Sequence, residues 1–208
     1  MGSFVVFEGP EGGGKTLQAK SLADRLRTDG HDVVGTREPG GTRVGNEIRS
    51  VLLGLGDYTM LPETEALLLA AARAQHVREV IRPALERGAW VVCDRYVDST
   101  YAYQGGGGGL DHNALQVIQT FATGGLEPDI RILLDVPVAL GLRRRHADPA
   151  SVNRIDLAGM AYHQRVRDRY LELAATSPAG WIVIDAQGAP DTVQSCIWRQ
   201  LQQRLANP

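Results

Sequence analysis

An apolar run, Phe4-Val5-Val6-Phe7, leads straight into Gly9-Pro10-Glu11-Gly12-Gly13-Gly14-Lys15-Thr16, which reads G-x-x-x-x-G-K-T. A segment of this kind needs a strand before it and a helix after it. The glycines let successive backbone N–H groups turn inward around a polyphosphate. Lys15 reaches the β- and γ-phosphates, and the Thr16 hydroxyl can ligate Mg²⁺. The positive end of the following helix faces the same anion. The flanks agree with this reading. Thr16–Asp29 is rich in Leu, Ala, Lys, Arg and Gln, with Leu22, Ala23 and Leu26 on one face and Gly30 at the C-cap position. A nucleoside triphosphate is the expected ligand.

Beyond this loop, short apolar runs alternate with helical patterns, the arrangement that gives a parallel sheet covered on both faces. Strands are expected over Ser3–Glu8, Asp32–Thr36, Ala89–Asp94, Ile130–Asp135 and Trp181–Asp185. Each is nearly continuous in apolar residues, as strands buried on both faces are. Helices are expected over Thr16–Asp29, Val44–Leu53, Glu63–Arg87, Asp111–Thr123, Val138–His146, Leu157–Thr176 and Asp191–Leu205, with Pro83 bending the third. The expected fold class is α/β: a three-layer sandwich whose five-stranded parallel sheet is flanked by helices, in one domain spanning 1–208. A net charge of −2 gives no reason to expect a nucleic-acid or membrane partner. Two cysteines, no secretory pattern at the N-terminus and no bilayer-length apolar stretch point to a reduced, cytoplasmic protein.

Several features point to a second phosphate. Trp90–Cys93 ends in Asp94, which is placed to serve a Mg²⁺ ion, and Arg95 beside it can clamp a phosphate with its planar fork. The turn Thr36-Arg37-Glu38-Pro39-Gly40-Gly41-Thr42 follows another strand, and Arg49 and Arg73 fall on helices near the same sheet edge. Together with Arg95 these arginines could gather around an acceptor. Five consecutive glycines, Gly105–Gly109, are read as backbone closely approaching a ligand.

Taken together, Gly9–Thr16, Thr36–Thr42, Ala71–Gln75, Asp94-Arg95-Tyr96 with Ser99–Gly105, and Arg169–Ala174 resemble bacterial thymidylate kinases, from Phe4 to about Ala186. The resemblance implies a P-loop kinase fold with a short lid over 143–156, and transfer of the γ-phosphoryl group of ATP to dTMP. It implies that Glu11 contacts the deoxyribose 3′-hydroxyl. Arg73 and Arg95 would hold the dTMP phosphate, with Arg49 and Pro39 nearby. Ser99, Thr100, Tyr103 and Gln104 would line the thymine and sugar pocket. Thr16 and Asp94 would serve Mg²⁺. It also implies a homodimer. Four residues before Arg73, where the family carries an aromatic that stacks on thymine, this chain has Leu69.

The expected chemistry needs no general base, because a monophosphate oxygen is already anionic at neutral pH. Catalysis then rests on positioning and charge neutralisation. Lys15, Mg²⁺ and Arg95 supply cations, and a mobile lid would add more. Gly12 and Gly13 leave the P-loop without an arginine, so the chain resembles the subtype whose catalytic arginine comes from the lid. Arg143, Arg144, Arg145 and Arg154 are the candidates there. Two other readings stay open: a kinase for another deoxynucleotide or a deoxynucleoside, and a nucleotide-dependent switch. A deoxynucleoside kinase, acting on a neutral 5′-hydroxyl, would need a base in or near Glu8–Glu11. A switch would need no acceptor pocket.

Overall fold

The computed structural model describes residues 2–54, 59–147 and 153–206. Five strands form the sheet: β1 (Phe4–Glu8), β2 (Val33–Arg37), β3 (Trp90–Asp94), β4 (Ile130–Asp135) and β5 (Trp181–Asp185). All pair in parallel, in the order β2-β3-β1-β4-β5, with Phe7 opposite Asp94 on one side and Ile132 on the other. The helices are α1 (Lys15–Thr28), α2 (Arg43–Leu53), α3 (Pro62–His76), α4 (Arg82–Glu86), α5 (Val97–Thr100), α6 (His112–Thr123), α7 (Val138–His146), α8 (Met160–Thr176) and α9 (Pro190–Ala206). Residues 148–152, within the expected lid, lie outside the described residues.

The period-two geometry of β1 divides its side chains between two cores. Val5 and Phe7 pack with Leu22 and Leu26 of α1 and Ile197 and Leu201 of α9. Phe4 and Val6 face the other way, toward Val77, Ile81 and Tyr96. A third cluster joins Tyr103 to Val166 and Tyr170 of α8. Burial on both faces is why the strands read as unbroken apolar runs. Because β1 is central, its carboxyl end delivers the P-loop to the middle of the sheet edge, beside the end of β3.

Two elements differ from expectation. The span Glu63–Arg87 is not one helix: α3 ends at His76, a π-helical stretch covers Val77–Ile81, and α4 follows. Pro83 has no N–H to donate, and its ring crowds the carbonyl of the fourth residue before it, so the ladder loosens just ahead of it. The segment after β3, for which no helix was expected, continues as α5 and a π-helical stretch, Tyr101–Gly107. The glycine run lies partly within that stretch and does not line the central cleft. It is there for packing. A Cβ on Gly106 would stand 2.6 Å from Arg169 Cβ, and one on Gly107 would stand 2.6 Å from the Tyr162 ring. The missing side chains let α8 approach this backbone closely. Among the described residues no helix is long and apolar enough to cross a membrane.

Candidate active site

The P-loop carbonyls are already tied down by cations. Lys15 Nζ donates to Pro10 O at 2.7 Å, Arg95 Nη1 to Gly9 O at 3.2 Å and Arg144 Nη1 to Gly12 O at 3.5 Å. Gly14, at φ 83, caps α1 and turns the chain into it. Gly12 sits at φ +70, and a Cβ there would lie 2.0 Å from Gly141 O of α7. The reverse also holds, since a Cβ on Gly141 would lie 2.2 Å from Glu11 O. Backbone meets backbone at this point, which is a physical reason why position 12 carries no arginine.

Thr16 Oγ1 donates to Asp94 Oδ2 at 2.5 Å, bringing together the two residues expected at the metal. The other oxygen, Asp94 Oδ1, is buried and has no hydrogen-bond partner among the described residues. A buried acceptor of that kind is costly unless something fills it. One hydroxyl and one carboxylate, with a free lone pair beside the P-loop, fit Mg²⁺, which takes few protein ligands and completes its shell from water and phosphate.

Arg95 is the hub of the cleft. It stands just after β3 with φ 71, a left-handed conformation uncommon for any residue but glycine. Its Nη2 donates to Glu11 Oε1 at 2.6 Å and to Tyr103 OH at 3.0 Å, and its guanidinium lies 4.8 Å above the Tyr103 ring. Tyr103 OH also donates to Glu11 at 2.8 Å. Burial alone would raise the Glu11 pKa, but Arg95 and then Lys15 outweigh it and hold the carboxyl down at about 2. Lys15 moves down to about 8, through burial first and the nearby Arg95 second. Glu8 moves up to about 7 because it is fully buried and faces Asp98, with Ser99, Arg95 and Tyr96 pulling the other way.

Arg73 is held differently. It is 2% exposed, donating to Glu38 Oε2 at 2.6 Å, Thr100 Oγ1 at 3.1 Å and Tyr96 O at 2.9 Å, and also to Gln119. Most of its fork is therefore spent on protein acceptors, and it forms a fixed wall of the cleft. Glu38 also meets His76 Nδ1 at 2.9 Å, and His76 Nε2 meets Thr36 Oγ1 at 2.7 Å. That cluster is why the Arg-Glu-Pro-Gly-Gly turn carries a glutamate: it braces α3 against the end of β2. Arg49 Nη1 holds Pro39 O at 2.9 Å.

One cleft of about 550 Å³ joins these parts. Its lining includes Glu11, Gly12, Gly14, Lys15, Thr16, Pro39, Arg49, Leu69, Arg73, Asp94, Arg95, Ser99, Thr100, Tyr103, Gln104, Arg144 and Arg145, nearly all the residues expected from sequence. Gly9, Pro10 and Gly13 belong to the same loop but do not line the cleft. Arg154 is not brought to the P-loop. It pairs with Glu65 and reaches Leu52 O at 3.4 Å, on the side of α2 and α3. Arg144 bridges to Ala186 O and Gln187 O at 2.8 and 2.7 Å, and Arg145 Nε donates to Asp156 at 2.9 Å. Gln104 Nε2 donates to Glu65 at 2.6 Å, while its Oε1 is buried with no partner among the described residues.

Sequence reasoning gave no site role to Tyr170, His76 or Glu38, and weighed Glu8 only as a base. Glu38 and Tyr170 fall within quoted motifs, which was the available signal. Their partners lie far away in the chain, and spacing cannot reveal those.

A family model for thymidylate kinase matches residues 7–197. The chain is 54% identical over 198 residues to a thymidylate kinase of Thermomicrobium roseum, covering 95% of this chain and 93% of that protein. It is 49% identical over 196 residues to one of Pseudomonas fluorescens, covering 94% and 93%. Among solved structures, the thymidylate kinase of Ehrlichia chaffeensis superposes with a TM-score of 0.80 at 30% identity, covering 97% of this chain and 99% of that one.

Proposed function

This chain belongs to the thymidylate kinase family and transfers the γ-phosphoryl group of ATP to dTMP, and on that premise we propose how its cleft does so. ATP lies with its phosphates in the P-loop and dTMP lies at the opposite end, with Arg95 between them. The observation that carries this reading is the single continuous cleft, with Lys15 and Thr16 at one end and Arg95, Tyr103 and Gln104 at the other.

The acceptor is a phosphate oxygen, so no proton has to leave before attack. Glu11, held at about 2, stays ionised and is too weak a base for a hydroxyl. Glu8 is fully buried with its oxygens engaged by Tyr96, Ser99 and Tyr170. These facts disfavour a deoxynucleoside as acceptor. A switch protein would not need the acceptor end of the cleft.

Arg95 holds the dTMP phosphate, and Glu11 receives the 3′-hydroxyl. Ser99, Thr100, Leu69 and Tyr103 surround the sugar and base, with Pro39 and Arg49 closing one side. The open acceptor Gln104 Oε1 suits the imide N–H of thymine. Arg73 is only 2% exposed and is tied to Glu38 and Gln119, whereas Arg95 keeps 17% of its side chain open to the cleft, so Arg73 is assigned to stiffening this wall and Arg95 to the phosphate. Thr16 and Asp94 hold Mg²⁺, which when bound neutralises phosphate charge. Arg144 and Arg145 face the phosphates from the lid side, while Arg154 braces Glu65. The molecule works as a cytoplasmic homodimer.

A compound joining adenosine and thymidine 5′ to 5′ through a polyphosphate chain tests this arrangement. It should compete with ATP and with dTMP alike and bind far more tightly than either. Competition with only one of them would place the substrates in separate sites.

A further inference from the structure

One carboxylate next to the P-loop takes part in no step of the reaction, yet four donors converge on it. Glu8, the last residue of β1, is fully buried. Its Oε1 accepts from Tyr96 N at 2.8 Å and Ser99 N at 3.3 Å; its Oε2 accepts from Ser99 Oγ at 2.6 Å and Tyr170 OH at 2.9 Å. The two hydroxyls stand 2.8 Å apart. Arg95 Nη1 lies 3.3 Å from Ser99 Oγ and 3.4 Å from Tyr170 OH. Arg95 N is held by Phe7 O at 2.9 Å, the residue just before Glu8.

We propose that Glu8 is the positioning residue that fixes Arg95 for the acceptor phosphate. It acts on the backbone and on the side chain. By taking the amides of Tyr96 and Ser99 it secures the chain immediately after Arg95, so that with Phe7 O the strained left-handed turn at φ 71 is held from both sides. An ionised carboxylate only accepts, so it draws the protons of the Ser99 and Tyr170 hydroxyls toward itself. Their lone pairs are then left facing the Arg95 guanidinium. The Nη1 edge of the guanidinium is thereby seated on Ser99 and Tyr170, and Nη2 stays on the Glu11 and Tyr103 side of the cleft. The three contributors come from β1, α5 and α8, and Glu8 is separated from Tyr170 by 162 positions in the chain.

This inference rests on the proposed role of Arg95, so the test separates the two. Steady-state constants for ATP and dTMP are measured at pH 8 for the native protein, Glu8→Gln, Arg95→Ala and the double variant, after thermal melts show that each folds. Glu8→Gln should raise the KM for dTMP about tenfold, the scale of one charge-assisted hydrogen bond, with the KM for ATP changed less than about twofold. In the Arg95→Ala background the same substitution should have no further effect on dTMP. If Glu8→Gln shifts both substrates alike, shifts neither, or acts undiminished without Arg95, the inference is overturned while the Arg95 reading stands. If Arg95→Ala leaves the KM for dTMP unchanged, the premise fails and the inference falls with it. Should Glu8→Gln fold poorly, Tyr170→Phe goes through the same cycle with the same expectations.

Discussion

Lys15 and Glu11 lie close together in the cleft; Arg95 holds the Glu11 carboxyl down, whereas burial first and Arg95 second bring the Lys15 ammonium down. For Lys15 this has two consequences of opposite sign. Its folded pKa, about 8, is below the 10.5 of an ordinary lysine. Between those values the unfolded chain holds a proton that the folded chain has lost. Stability from this group therefore rises with pH across that window, and its cost is fully present below about 8. ATP binding runs the other way. A triphosphate favours the ammonium, so binding at pH 8 should take up close to half a proton, and affinity should weaken as pH climbs further. Titration calorimetry in two buffers of different ionisation enthalpy reads the uptake directly. Lys15→Met should abolish it. No uptake in the native protein would mean that Lys15 is fully charged before ATP arrives.

The glycine-rich segment shows how an element can be misread when its neighbour is distant in sequence. Five glycines in a row look like a loop shaped for a ligand, yet Gly106 and Gly107 are bare because α8 lies against them. Gly107→Ala should then cost about 1–3 kcal/mol in denaturant unfolding, since its Cβ meets the rigid Tyr162 ring. Gly105→Ala, whose Cβ would meet the end of Leu115 at 3.4 Å and Leu110 O at 3.9 Å, both ordinary contact distances, should be neutral or slightly stabilising in a helical segment. Equal losses at both positions would contradict the packing account. The strands were legible because a strand buried on both faces leaves a continuous apolar signature, and the P-loop because its chemistry is local. The break after α3 was only half legible. Pro83 marks the interruption, but where the ladder loosens is decided by how Val77 and Ile81 pack under the sheet.

At the scale of the whole molecule, most cleft residues could be named from sequence because they sit in short runs at strand ends. What could not be read was the division of labour among the arginines. Arg73 and Arg154 look like phosphate ligands in a list of cations; the fold pairs them with Glu38 and Glu65, carboxylates distant in the chain, which is why we propose bracing roles for them. The proposed homodimer is supported by an apolar surface on α3 and α6, where Leu67, Val117 and Phe121 are 57%, 70% and 81% exposed. Phe121→Asp should give a monomer by sedimentation equilibrium while the native protein sediments as a dimer; a native monomer would remove that proposal. The central claim is that one cleft passes phosphate from ATP to dTMP. It is tested most directly by ADP release with ATP, Mg²⁺ and a panel of monophosphates. Fast release with stoichiometric dTDP for dTMP, and slow release for dCMP, dGMP and AMP, is the predicted result. Release at one slow rate whatever the acceptor would contradict it.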